Sequence, residues 1–126
     1  MIKLFEYILK RGAKVKVTAV PAPTAEPVSV NYCFEKVFDQ EVSNTKGIYN
    51  LVKLSHIEED RATWNFLPWF VKGQTEEENM AISVLDKIKI AGGEKATRDS
   101  RYLFDKDLGE TPNDVRLAQE VTTDNP

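Results

Sequence analysis

Two consecutive long segments, 29–59 and 62–91, carry apolar side chains at helical spacing, and only a short polar turn separates them. In the first, Phe34, Val37, Phe38, Ile48, Leu51 and Val52 fall on one stripe, and Glu41 and Thr45 lie on the same stripe. Ser29 is placed to cap its start, and Gly47 weakens it by roughly 1 kcal/mol against alanine. In the second, Phe66, Phe70, Gln74, Glu77, Ala81, Val84 and Ile88 form the stripe, and Gly92-Gly93 ends the run. Glu58, Glu59, Asp60 and Arg61 mark the turn between them. Pro68 is the difficulty. A proline inside a helix costs roughly 3 kcal/mol, so the second helix tolerates it only by starting in effect near Asn65, with Pro68 in its first turn.

Two long helices pack one face each and leave half of a four-helix bundle open. The expected fold is therefore all-α: half of a four-helix bundle, with two long antiparallel helices plus a short N-terminal and a short C-terminal helix. Such a chain needs a partner surface. Its broad apolar face predicts oligomerisation or aggregation in place of a stable monomer.

The flanks are shorter and more polar. Residues 2–11 read as a helix on the spacing of Ile2, Phe5, Ile8 and Leu9, with Gly12 to end it. Residues 13–27 read as a long crossover. Lys14 to Thr18 alternate as a strand would, but no second convincing strand exists to pair with them, and Pro21, Pro23 and Pro27 forbid regular helix. Residues 98–109 form a short last helix on Tyr102, Leu103, Phe104 and Leu108, and the polar stretch from 111 to 126 reads as a tail. One domain over 1–110 is expected.

Charge and cysteine content narrow the setting. The 17 basic and 20 acidic residues give a net charge of -3, which argues against a nucleic-acid binder. Lys3, Lys10, Arg11, Lys14 and Lys16 read as a solvated basic face. Cys33 is the single cysteine, so no intramolecular disulfide can form, and its apolar neighbours make it a small core residue. No stretch approaches the ~18 apolar residues of a membrane helix. The start M-I-K-L-F-E-Y does not read as a signal peptide, and the cytoplasm is the expected compartment. His56, four turns from Glu41, reads as a surface residue.

Three polar residues on the stripes carry the chemistry: Glu41, Gln74 and Glu77. A buried, unpaired carboxylate is expensive, so either Glu41 and Glu77 sit at the stripe's edge and reach water, or the three groups share a cation. Oxygen-rich donors on facing bundle helices suit hard cations and iron. Gln74 and Glu77 are three apart and share one helical face. Glu76 and Glu78 flank the stripe.

Longer matches go beyond spacing. T-K-G-I-Y-N-L-V (45–52), N-F-L-P-W-F-V (65–71), Q-T-E-E-E (74–78) and L-D-K-I-K-I-A-G-G (85–93) resemble bacterial non-haem ferritin, in the order of the third and fourth helices of its bundle. L-F-E-Y-I-L-K-R-G-A-K-V (4–15) resembles the end of its second helix and the start of its crossover, and L-F-D-K-D-L-G-E (103–110) is similar to its short fifth helix. The resemblance implies a ferritin-like fold and an iron-storage function. It places Glu41 as the third-helix glutamate of a di-iron ferroxidase site, Gln74 and Glu77 as its fourth-helix residues, and Glu76 as a ligand of the neighbouring accessory iron site. Iron, as Fe(II) and Fe(III), is the implied metal.

Departures from the family pattern leave enzymatic activity open. The first helix and the E-x-x-H motif of the second, with their ligands, are not in this sequence, and Met1 falls just after that motif. The expectation is an N-terminally truncated reading frame with roughly half the di-iron ligands. Gly73 stands where an acidic accessory ligand is usual, and Pro68 where a residue tolerant of helix interiors is usual. Two arrangements would restore a site: a homo-oligomer in which two copies pair their hairpins, or co-assembly with full-length ferritin subunits. The alternative is a non-catalytic helical interaction module or a decayed subunit.

Overall fold

The computed structural model describes residues 2–23 and 26–110, and these are all-helical with no strand among them. Five α-helices follow in order: α1 (Ile2–Lys10), α2 (Val30–Ile57), α3 (Arg61–Phe66), α4 (Pro68–Ile90) and α5 (Arg98–Glu110), with a single 3₁₀ turn at Gly93–Lys95. The polar segment 111–126 lies outside the described residues.

The antiparallel pair α2–α4 is the main packing of the molecule. Ser29 caps α2 as expected, its hydroxyl accepting from the Tyr32 N–H at 3.1 Å. The far end of α2 closes in a Schellman arrangement: the Glu59 N–H bonds the His56 carbonyl and the Asp60 N–H bonds the Ser55 carbonyl. Glu59 takes the left-handed conformation this needs, at φ 52°, where glycine is the usual occupant. Gly12, at φ 77°, performs the same service for α1.

Pro68 divides the second long segment in two. α3 ends at Phe66, and the Leu67 N–H is spent on the Thr63 carbonyl at 3.1 Å. α4 then begins with Pro68 as its first residue, where a missing N–H costs nothing. The Leu67 carbonyl accepts from Phe70 and Val71, so the two helices run almost end to end. The expected helix over 62–91 therefore exists as two, broken one residue before the proline. Leu67 is the most buried side chain among the described residues, only 1% exposed.

α1 lies antiparallel to α3 and the start of α4. Lys3 sits over the Trp69 ring at 4.3 Å, Tyr7 stacks on Phe66 with centroids 4.0 Å apart, and Arg11 pairs with Asp60 at 3.0 Å. Phe66, Phe70 and Trp69 continue this aromatic contact into α4. The C-terminal end of α1 thus lies at the α2–α3 turn. The N-terminal end of α2 lies at the opposite end, where Phe34 meets Phe104 of α5 edge-on. The connection 11–29 must travel the length of α2, about 42 Å for 28 residues, which an extended chain of this size reaches without difficulty. That is the crossover the prolines required.

Burial is sparse. Among the described residues, only Leu67, Phe70, Ala81 and Ile88 are buried apolar residues, while Val37, Leu51, Leu54, Met80, Ile82 and others stay exposed. One layer of helix has packed, and much apolar surface has no cover from the described residues. Cys33 is half-buried with a free thiol, and His56 is exposed, edge-on to Trp64.

Candidate metal centre

The polar cluster forms where the two stripes meet at mid-hairpin. Glu41 and Thr45 are one turn apart on α2, and Gln74 faces them from α4. The Gln74 amide nitrogen donates to Glu41 Oε2 at 3.3 Å. The Thr45 hydroxyl lies 3.4 Å from Gln74 Oε1 and 3.1 Å from the Glu41 backbone carbonyl. Asn44 adds a second donor to Glu41 Oε2 at 3.2 Å. Glu41 and Gln74 are half-buried, and Thr45 is buried at 9% exposure.

Local sequence explains this placement. Residues four apart on a helix stack on one face, so Glu41 and Thr45 point to the same neighbour. Gly73 takes no part in this placement, since a Cβ there would stand in open space. Glu77, one turn beyond Gln74, and Glu76 are both half-buried. Of the four residues expected to form the centre, Glu41 and Gln74 are in direct contact, Glu77 lies about one turn further along α4, and Glu76, two residues beyond Gln74, lies off that face.

The arrangement offers carboxylate oxygen to a cation from two helices. Both hydrogen bonds to Glu41 end on Oε2, and Oε1 takes none from the described residues. The described residues hold no group of three or more His, Cys, Asp or Glu side chains able to grip a metal. A full oxygen shell of six or so donors therefore needs groups from outside this hairpin.

Asn44 was not singled out from the sequence, although its spacing of three from Glu41 was a usable signal. A second cluster was also missed. Tyr7 Oη lies 2.8 Å from the Thr63 hydroxyl, which lies 2.7 Å from Asp60 Oδ2, and Arg11 closes the group. The Thr63 hydroxyl, with help from its backbone N–H and the Arg11 guanidinium, holds the Asp60 carboxyl below its ordinary range. This cluster docks α1 and lacks the inward setting of a metal site. At the other end of the hairpin a cavity of about 650 Å³ opens between α2, α4 and α5, with Phe34, Ile88, Phe104 and Leu108 in its wall. It is mostly apolar and separate from Glu41.

A helical hairpin with carboxylate and amide groups meeting at mid-length is half of the arrangement from which four-helix bundles build carboxylate sites. The ferritin-like domain profile matches residues 1–91, and the chain belongs to the ferritin family. It is 38% identical over 106 residues to the bacterial non-heme ferritin of Staphylococcus saprophyticus, a match covering 84% of this chain and 62% of that protein. It is 36% identical over 109 residues to a probable bacterial non-heme ferritin-like protein of Haemophilus influenzae, covering 86% and 64%. Among solved structures it is similar to an open pore ferritin from Archaeoglobus fulgidus, with TM-score 0.80, 37% identity, and 88% of this chain on 66% of that one. Chlorobium tepidum ferritin gives TM-score 0.71 at 33% identity, covering 90% and 68%. The chain spans less than two thirds of the length of these two curated relatives.

Proposed function

We propose that this chain is an iron-storage subunit of the ferritin type, in which Glu41 and Glu77 offer oxygens to iron, Gln74 stands beside them, and Glu76 serves a neighbouring iron position. The observation that carries the reading is the meeting of Glu41 and Gln74 across α2 and α4, both half-buried at mid-hairpin. Iron is the substrate and cargo here, not a resident cofactor. Carboxylate oxygen is a hard donor that tolerates both Fe(II) and Fe(III), which suits a site that takes up one and hands on the other.

The remaining donors come from other subunits, either further copies of this chain or full-length ferritin subunits. The exposed apolar residues of α2 and α4 support assembly, because a face of this extent is unfavourable in water. Ferroxidase activity belongs to the assembled site, since two carboxylates from one hairpin do not enclose a pair of irons. The proposed setting is the cytoplasm, with no part for nucleic acid or membrane. No described helix is long and apolar enough to cross a bilayer.

The test is anaerobic Fe(II) titration of the purified chain with its oligomeric mass measured in the same buffer. Binding of about one Fe(II) per chain in an assembled species, lost in Glu41→Ala and in Glu77→Ala, is the expected result. An assembled chain that takes up no Fe(II), with or without added full-length subunits, would refute the iron reading.

A further inference from the structure

Two polar side chains are buried among the described residues, Thr45 and Ser55, and they differ in what they do. Ser55 satisfies itself within its own helix, its hydroxyl donating to the Val52 carbonyl at 2.8 Å. Thr45 has the same option in the Glu41 carbonyl at 3.1 Å, yet its hydroxyl also faces α4 and Gln74 Oε1 at 3.4 Å. One hydroxyl hydrogen is shared between the two acceptors.

The chemistry fixes which end of the Gln74 amide points where. An ionised carboxylate only accepts, so the Gln74 NH₂ must face Glu41 and its carbonyl oxygen must face a donor. Thr45 is that donor. An amide NH₂ has no lone pair available for a cation, and the hydroxyl takes one of the two lone pairs of the amide oxygen. In this arrangement Gln74 links the two helices. It carries the position of Thr45 across to Glu41, one helical turn away on the same face. Charge-assisted donors to a carboxylate are the stronger kind, and two of them, from Gln74 and Asn44, converge on one oxygen.

We infer that Thr45 is a positioning residue: its buried hydroxyl sets the Gln74 amide, and the amide holds Glu41 by Oε2 so that Oε1 is the oxygen given to a divalent cation. This deepens the iron reading and rests on it for the identity of the cation, though not for the hydrogen-bond relay. Outer groups that orient metal-binding side chains commonly change metal affinity by about tenfold or more when removed.

The test uses three chains: wild type, Thr45→Val, which keeps the shape and removes the hydroxyl, and Thr45→Ser, which restores it. The first readout is the side-chain NH₂ signal of Gln74 by NMR in the metal-free chain. It is expected to move in Thr45→Val and to return toward wild type in Thr45→Ser. The second readout is anaerobic Fe(II) affinity, expected to fall about tenfold in Thr45→Val and to recover in Thr45→Ser. Should Thr45→Val fail to fold, Thr45→Ala, with alanine's higher helix propensity, carries both readouts. A Gln74 amide signal unchanged on loss of the hydroxyl overturns the inference, whatever the iron result. Failure of the wild-type chain to bind Fe(II) sinks the iron reading separately, and the amide signal then decides the relay by itself.

Discussion

Replacing Pro68 with alanine separates two accounts of the second long segment. If 62–91 were one continuous helix, Pro68 would lie inside it, remove one hydrogen bond and press its ring on the Trp64 carbonyl, at a cost of roughly 3 kcal/mol. Pro68→Ala would then stabilise the chain by that amount. The structure predicts otherwise. Pro68 is the first residue of α4, so its missing N–H is one the helix start leaves unpaired anyway. The Leu67 N–H already bonds Thr63, and the Leu67 carbonyl already accepts from Phe70 and Val71. Alanine adds no needed bond at this point. It also frees the unfolded chain, which costs about 0.4–1 kcal/mol. Against this stands relief of Leu67, which is held at φ -70° and ψ -27°, a region disfavoured before proline. The two small terms oppose each other, and the net change is expected within about 1 kcal/mol of zero. Urea denaturation followed by far-UV circular dichroism measures it. A stabilisation of about 3 kcal/mol, with a gain in helical signal, would refute the break at Leu67.

Other predictions follow from backbone geometry and charge. Gly47→Ala and Gly73→Ala each place a Cβ in open space within a helix and are expected to stabilise by about 0.8–1 kcal/mol, read as a higher unfolding midpoint. Glu59→Gly relieves a left-handed glutamate at the end of α2 and is expected to gain about 0.5–1 kcal/mol in the same assay; a loss would mean the side chain matters more than the turn. Asp60 has its carboxyl lowered below the ordinary 3.8, chiefly by the Thr63 hydroxyl, so its contribution to stability is present above that value and is lost as pH falls through the lowered one. Asp60→Asn keeps a capping oxygen and is expected to flatten the acid side of the stability profile below about pH 4, whereas Asp60→Ala also lowers the melting temperature at neutral pH. An acid profile identical in wild type and Asp60→Asn would count against this role.

Much of the candidate centre was readable as a pattern. Glu41 and Thr45 lie on the α2 stripe and Gln74 and Glu77 on the α4 stripe, so helical periodicity alone put them on facing surfaces. What periodicity could not supply is register between the helices. Whether Glu41 meets Gln74 or misses it by a turn depends on where the hairpin turns. That is decided by Glu59 accepting a left-handed backbone and by Asp60 capping α3 through the Thr63 N–H at 3.1 Å. Val37 and Leu51 show the converse limit. Both sit on the sequence stripe, yet both are exposed, because the single facing helix covers less of α2 than the stripe's width.

By itself, then, the sequence determined the helices, their caps at Ser29 and Gly12, the crossover enforced by three prolines, and the family, since each of these is written in local residue identity. Only the tertiary structure decided the break at Leu67, the docking of α1 through Tyr7 and Arg11, and the use of Gln74 by Thr45 and Glu41. These depend on which residues distant in the chain come within hydrogen-bond reach, and a distance across two helices has no periodicity in the sequence that could encode it.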